Sequence, residues 1–255
     1  MTKTIIITGA TSGIGKTLAT KLANDGHKVI AVGRNKSALD ELHAEYPSTI
    51  VPVVADITLP EDRSAIKDRL SQNDKGIFLI HNAGIASPCI LHDLSESDWD
   101  AHNAVNIKAP LFLTQALLPH LKAGGRVLHI STGLAHNALP GFTAYGLTKA
   151  ALYMLKEFGN AELKEEGIVF GSAMPGIVDT PIQASIRAKD FPAVDLFKGF
   201  KARNELLATE TAAKFLTWLL FNTGDVEFGQ GDWNIYDTAH RSHWAKPGEV
   251  KERQQ

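Results

Sequence analysis

One alternation constrains the fold more than anything else in this chain. Four apolar, partly β-branched runs, KTIIIT (3–8), KVIAVG (28–33), IVPVVAD (50–56) and GIFLIHNAG (76–84), are separated by three stretches with helical spacing: SGIGKTLATKLANDG (12–26), KSALDELHAEY (36–46) and PEDRSAIKDRLSQN (60–73). This βαβαβαβ rhythm predicts a parallel sheet with helices on both faces. The strands are continuous apolar runs rather than alternating ones, as expected when both faces of a sheet are covered. The pattern continues with helices over 97–122, 144–165 and 209–222, and with strands RVLHIST (126–132), IVFGSAMPG (168–176) and DWNIY (232–236). The segment 181–205 reads as irregular, with Phe191, Phe197 and Phe200 spread among charges. No repeat, low-complexity tract or linker interrupts the chain, so residues 1–255 are expected to form one doubly wound, mostly parallel α/β domain.

Composition excludes several function classes. The 26 basic and 28 acidic residues are well mixed, and no basic stretch marks a nucleic-acid or membrane surface. The longest apolar runs, such as FLTWLLF (215–221), fall short of the ~20 residues a membrane span needs. The N-terminus enters a strand at once and lacks a signal-peptide pattern. A single cysteine, Cys89, rules out an internal disulfide and a cysteine zinc cluster, and fits a reducing compartment. A soluble, cytoplasmic protein is expected.

The stretch TGATSGIG (8–15) lies where the first strand hands over to the first helix. Gly9, Gly13 and Gly15 allow the backbone to approach a pyrophosphate, and the helix start offers free N–H groups through Thr11, Ser12, Gly13 and Ile14. The alternative is tight strand–helix packing without a ligand; the strand–turn–helix context favours the phosphate. The second strand ends at Gly33, followed by Arg34. No carboxylate at this strand end repels a phosphate, and a guanidinium binds one bidentately, which predicts NADP(H) over NAD(H). Asp56 is placed to meet the adenine amino group, or equally to cap the next turn. Asn82, Ala83 and Gly84 end the fourth strand, and their small size leaves room for a ribose.

Tyr145 and Lys149, in TAYGLTKAAL, stand one helical turn apart on one face. The apolar stripe of that helix is assigned to Leu147, Ala150, Ala151, Met154 and Phe158. An ammonium about 4 Å from a phenol favours phenolate by up to ~4 kcal/mol at an effective dielectric near 20, before burial opposes it. A tyrosine so tuned could exchange a proton with a carbonyl or alcohol oxygen. The preceding strand delivers Ser131 and Thr132 to a C-terminal strand edge, where ligands bind in open α/β sheets. Pro110, four residues after Asn106, lacks an N–H, so the Asn106 carbonyl loses its helical partner and a kink is expected there. The freed carbonyl needs another donor, such as a water.

Together, TGATSGIG, HNAG, Asn106, YGLTK and PGIVDT (175–180) resemble the short-chain dehydrogenase/reductase family, in its short single-domain branch. The resemblance implies a Rossmann-like fold, NADP(H) as cofactor and hydride exchange with a carbonyl or secondary alcohol. It implies Tyr145 as general acid/base, Lys149 as the residue that tunes it and holds the nicotinamide ribose, and Asn106 as anchor of a water relay. Asp56 and Ile57 would touch adenine, Asn82, Ala83 and Gly84 the ribose, and Pro175, Gly176, Ile177 and Thr180 the nicotinamide. The family usually carries two serines at the strand end, the second catalytic; here the pair is Ser131–Thr132. Counting back from Tyr145 puts Thr132 in the catalytic slot, while Ser131 could substitute if the strand end shifts by one residue. The tail YDTAHRSHWAKPGEVKERQQ departs from the family; it could shape the substrate mouth, pack on a neighbouring subunit or stay mobile. His240 and His243 are three apart, but no third ligand is evident and no metal is expected. Assembly as a homodimer or homotetramer through 97–122 and 144–165 is expected, with 181–205 as a lid over a small, partly apolar substrate. A non-catalytic NADP(H) sensor or scaffold of the same fold is the alternative.

Overall fold

The computed structural model of the chain describes residues 2–250. Its strands are β1 (Thr4–Thr8), β2 (Lys28–Gly33), β3 (Ile50–Val54), β4 (Phe78–His81), β5 (Gly125–Ile130), β6 (Ile168–Met174) and β7 (Trp233–Asn234). They form one parallel sheet in the order β3-β2-β1-β4-β5-β6-β7. The helices are α1 (Gly13–Asn24), α2 (Lys36–Glu45), α3 (Pro60–Lys67), α4 (Glu96–Asn103), α5 (Ala109–Leu121), α6 (Thr143–Leu163), α7 (Pro181–Arg187), α8 (Val194–Ala202), α9 (Thr209–Asn222), α10 (Asp225–Phe228) and α11 (Thr238–Arg241).

Strand β1 explains why the sheet needs cover on both sides. Ile5 and Ile7 pack into one apolar layer with Leu18 of α1, Leu39 of α2 and Phe215 of α9. Ile6, between them, packs into the opposite layer with Ile66 of α3 and Leu113 and Leu117 of α5. All three isoleucines are fully buried, and each such burial contributes about 1.5–3 kcal/mol. Strand order reverses between β1 and β4, and this opens a crevice at the C-terminal strand ends. No helix among the described residues is long and apolar enough to cross a membrane.

Three regions differ from the sequence expectation. First, 97–122 is not one regular helix. A wide π-helical turn, Ala104–Lys108, separates α4 from α5, and the Ala109 N–H bonds back to the Ala104 carbonyl, five residues away. Pro110 has no N–H to offer Asn106, so the distortion expected as a kink is accommodated as this widened turn. Second, 181–205 is not irregular: it holds α7 and α8. Thr180 caps α7, accepting from the Gln183 N–H at 3.3 Å, and Pro181 occupies the first turn.

Third, the buried face of α6 is the opposite of the one assigned. Leu147, Met154 and Phe158 are more than half or about half exposed, at 53%, 50% and 57%; Ala151 is also exposed. Ala144, Thr148, Lys149, Leu152, Lys156 and Gly159 face inward instead. The inner face must come close to the sheet: a Cβ on Gly159 would enter the Phe170 ring. Apart from Leu152, the inner face carries small or polar side chains, and Leu147, Met154 and Phe158 are left outside.

The tail folds back on α9 as far as residue 250; residues 251–255 lie outside the described residues. His240 stacks on Phe215 and Trp218, with ring centroids 5.5 and 5.1 Å away. Its Nε2 faces the Asn234 carbonyl at 3.1 Å and its Nδ1 accepts from Trp244 Nε1 at 3.0 Å, so both ring nitrogens serve packing.

Candidate active site

The β1–α1 turn is held by its backbone. Gly9 and Gly13 adopt left-handed φ values of +68° and +52°, which glycine reaches without steric cost. A Cβ on Gly15 would land on the Gly9 carbonyl oxygen and the Asn82 amide. The N-cap residue Ser12 makes no side-chain cap bond, leaving the first-turn N–H groups of α1 open to an anion. Asn82 lines the cavity and also holds the turn. Its Nδ2 donates to the Thr8 and Gly9 carbonyls at 2.9 and 3.2 Å, so it staples the turn to β4. Thr8 Oγ1 completes the staple by accepting from the Asn82 and Ala83 N–H groups, both at 3.1 Å.

At the adenosine end, a Cβ on Gly33 would meet the Thr11 methyl at 2.5 Å, so a side chain there would push on the glycine turn. Arg34 is 78% exposed, with Nη1 at 3.9 Å from Asp56 Oδ2. The expectation of a carboxylate-free surround for Arg34 is therefore corrected: Asp56 enters from the neighbouring strand end. Asp56 Oδ1 accepts from the Thr58 hydroxyl and N–H at 2.7 and 3.0 Å. These bonds, with Arg34 assisting, hold its carboxyl below the usual carboxylate range. The turn-cap alternative for Asp56 thus describes one oxygen, while the other faces the guanidinium.

From this turn a cavity of about 490 Å³ runs to the ends of β5 and α6. Thr11, Ser12, Ile14, Ile57, Ala83, Gly84, Pro175, Gly176, Ile177 and Thr180 line it together with Gly9, Gly13, Arg34, Asp56, Asn82, Ser131, Thr132, Tyr145 and Lys149. Gly15 and Asn106 stand behind the lining. Asn106 is 1% exposed. Its Nδ2 donates to the Ile85 carbonyl and Thr148 Oγ1, both at 3.0 Å, and its Oδ1 accepts from the Ile85 N–H at 2.9 Å. The side chain therefore latches the segment after β4 onto α6.

The ammonium of Lys149 donates to the Ile130 carbonyl at 2.6 Å and lies 5.7 Å from the centre of the Tyr145 ring. Burial pushes the Tyr145 phenol up to about 12, opposed by a hydrogen bond with Thr132. Burial pulls Lys149 down to about 8, opposed by the charge of Asp232. The sequence expectation of a phenol lowered by its lysine is corrected here: burial outweighs an ammonium turned toward a backbone carbonyl. At neutral pH Tyr145 keeps its proton and Lys149 is mostly charged. Of the two hydroxyls left open, Thr132 meets Tyr145, whereas Ser131 Oγ donates to Asp232 Oδ2 at 2.7 Å.

The far end of the cavity is apolar, with Ala86, Leu134, Phe142, Ile186 and Phe197 in its wall. Phe142 packs against Phe191 and Phe197 at centroid distances of 5.3 and 5.2 Å. Sequence reasoning missed Phe142, Ile186 and Asp232. None has a local motif; the fold brings Phe142 and Ile186 into the cavity wall and sets Asp232 behind it, against Ser131. The glycine positions, the uncapped helix start and the crevice at the strand reversal all fit a dinucleotide.

Comparison with known proteins agrees with this geometry. The sequence model of the family described as short chain dehydrogenase matches residues 3–190. A benzil reductase, (S)-benzoin forming, from Bacillus cereus is 32% identical over 246 residues, covering 89% of this chain and 96% of its own. A short chain dehydrogenase/reductase from Saccharomyces cerevisiae superposes with a TM-score of 0.85 at 26% identity, covering 95% of this chain and 99% of its own. A putative NAD(P)-dependent gluconate 5-dehydrogenase from Beutenbergia cavernae, with bound NADP, superposes with a TM-score of 0.77 at 26% identity, covering 91% and 94%.

Proposed function

The chain belongs to the short-chain dehydrogenase family of oxidoreductases, and from that premise we propose that it is an NADP(H)-dependent carbonyl reductase acting on a small, partly apolar ketone or diketone. One observation carries this reading: the Tyr145 phenol meets the Thr132 hydroxyl where the apolar wall of the cavity joins the crevice at the strand ends. The dinucleotide, when bound, supplies hydride to the carbonyl carbon. The Tyr145 phenol gives its proton to the carbonyl oxygen as charge develops there. The Thr132 hydroxyl orients that oxygen by a hydrogen bond. Lys149 offsets the negative charge left on Tyr145, and Asn106 anchors the path by which the proton is replaced. The glycine turn takes the pyrophosphate, Ile57 and Asp56 flank the adenine, and Arg34 takes the 2′-phosphate. Gly84, Ile177 and Thr180 enclose the nicotinamide half.

Substrate class follows the wall of the pocket. Phe142, Phe197, Leu134 and Ile186 offer aromatic and aliphatic surface, which suits an aryl ketone, and the Bacillus cereus relative is named for such a compound. Helices α7 and α8, carrying Ile186 and Phe197, serve as the lid. Exposed Leu147, Met154 and Phe158 on α6 and Leu111 and Phe112 on α5 form the face through which two or four copies pair. A cytoplasmic setting supplies the reduced dinucleotide.

The test is NADPH oxidation followed by absorbance, with benzil and a panel of aryl and alkyl ketones, and with NADH alongside. Turnover with NADPH at least tenfold faster than with NADH is expected, and Arg34→Ala should lose about tenfold or more of that preference, the worth of a charge-assisted bond. NADPH binding with no turnover of any carbonyl would support the sensor alternative instead.

A further inference from the structure

Asp232 lies one residue before β7, and Ser131 one residue after β5; β6 runs between them. Even so, the Asp232 side chain spans that gap. Its Oδ2 accepts from Ser131 Oγ at 2.7 Å and from His136 Nε2 at 2.9 Å. The side chain is 5% exposed. Ser131 and His136 are the two ends of a short 3₁₀ turn, Gly133–Ala135, with Thr132 as its N-cap. One carboxylate oxygen therefore clamps both ends of the turn that carries the hydroxyl facing Tyr145. The Ser131 N–H meanwhile donates to the Ala173 carbonyl at 2.8 Å, continuing the β5–β6 ladder and keeping the strand end in register.

We propose that Asp232 is a positioning residue for the reductase chemistry, an inference that rests on the function assigned above: it occupies the hydroxyl of Ser131 and, by clamping the turn, fixes Thr132 toward Tyr145. The clamp removes the ambiguity between two adjacent hydroxyls, since a Ser131 proton held by a buried carboxylate is not offered to a substrate oxygen. The other carboxylate oxygen, Oδ1, is buried with no hydrogen-bond partner among the described residues. In a low-dielectric interior such an unpaired oxygen is costly, so the two bonds made by Oδ2 matter more. Lys149 feels the carboxylate as a pull toward the charged form, against burial. The other groups facing Lys149 are the Tyr145 phenol and the imidazoles of His81 and His129. Burial holds both imidazoles neutral at pH 7, so Asp232 is the anionic group in this surround.

Two substitutions separate clamp from charge. Asp232→Asn keeps an acceptor for Ser131 and removes the charge; Asp232→Ala removes both. Lys149 is followed by NMR titration of its Cε–Hε signals in the full chain without substrate, assigned through Lys149→Met. Asp232→Asn should lower its titration midpoint by about half a unit or more. The alkaline limb of the kcat/KM profile should move the same way. Asp232→Ala should also lose about tenfold or more in kcat, with KM for NADPH changed by less than about threefold, the mark of a misplaced group at the reacting oxygen. Asp232→Asn should restore most of that kcat. Wild-type kcat in folded Asp232→Ala, or a kcat in folded Asp232→Asn no better than that of Asp232→Ala, would overturn the proposal. Should Asp232→Ala not fold, His136→Ala, which frees one end of the turn from Asp232, should lower kcat with KM for NADPH nearly unchanged, and wild-type kcat there would overturn the proposal. If the wild-type protein reduces no carbonyl, the reductase assignment falls, while the Lys149 titration still tests the electrostatic role of Asp232.

Discussion

At the β1–α1 turn the groups facing the crevice are backbone N–H groups, made accessible by glycines within seven residues of one another. At the ends of β5 and α6 the groups are side chains, and the partner that orders them, Asp232, is 101 residues from Ser131. A site made of backbone needs only local conformation, so one short stretch encodes it. A site made of side chains needs several segments to agree in space, so its parts are scattered along the chain. The two constructions should also fail differently: damage to the turn weakens cofactor binding, and damage to the strand end slows chemistry.

The largest expected effect tests the side-chain end. Tyr145→Phe removes the proton donor and leaves the ring, and kcat should fall by about 10²–10⁴. NADPH affinity, read by fluorescence quenching, should change little; joint loss of both would erase the contrast between the two ends. Next, Thr132→Val should lower kcat about 10²-fold, by analogy with loss of one donor to a developing oxyanion. Ser131→Ala should cost less than Thr132→Val, and the reverse order would reassign the donor. On the backbone side, Gly15→Ala forces a Cβ onto the Gly9 carbonyl. Overpacking of about 1–3 kcal/mol should weaken NADPH binding roughly ten- to hundredfold, with kcat at saturating cofactor largely kept.

The smallest effect probes the polar interior beneath the strand ends. His81 and His129 are matched in register on β4 and β5, fully buried, with ring centroids 5.3 Å apart. Burial holds His129 down to about 3 and His81 well below its ordinary value. Since the folded state stays neutral while the unfolded chain takes up protons, stability is full above about pH 6.5 and is lost as pH falls from there toward 3. His129 alone should remove about 1.4 kcal/mol between pH 7.5 and 5.5, measured by urea unfolding. His129→Asn should flatten that slope, and an equally steep slope in the variant would place the titrating group elsewhere.

The same contrast explains what could be read in the sequence. The strands, the glycine turn and the parallel order were legible because each follows from a local run of residues. Helix α6 was misread because apolar spacing marks a face without saying which side it meets: Lys149 and Lys156 are inside, and Met154 and Phe158 outside. Helices α7 and α8 were missed because two turns of helix carry too little periodicity to stand out. That the Asn82 amide closes the turn was not legible, because the bond needs β1 and β4 side by side. The depressed tyrosine was expected from a lysine one turn away; where that ammonium points is settled by the Ile130 carbonyl, which spacing cannot reveal.

The π turn at Ala104–Lys108 carries one residue more than a regular helical turn would. Removing the residue before Asn106 would narrow this turn, although Pro110 would still leave a helical carbonyl without its partner. Such a deletion would swing Asn106 around the axis by roughly 100° and unhook it from Ile85 and Thr148. A relative shortened here would keep its glycine turn and lose the latch that joins the segment after β4 to α6.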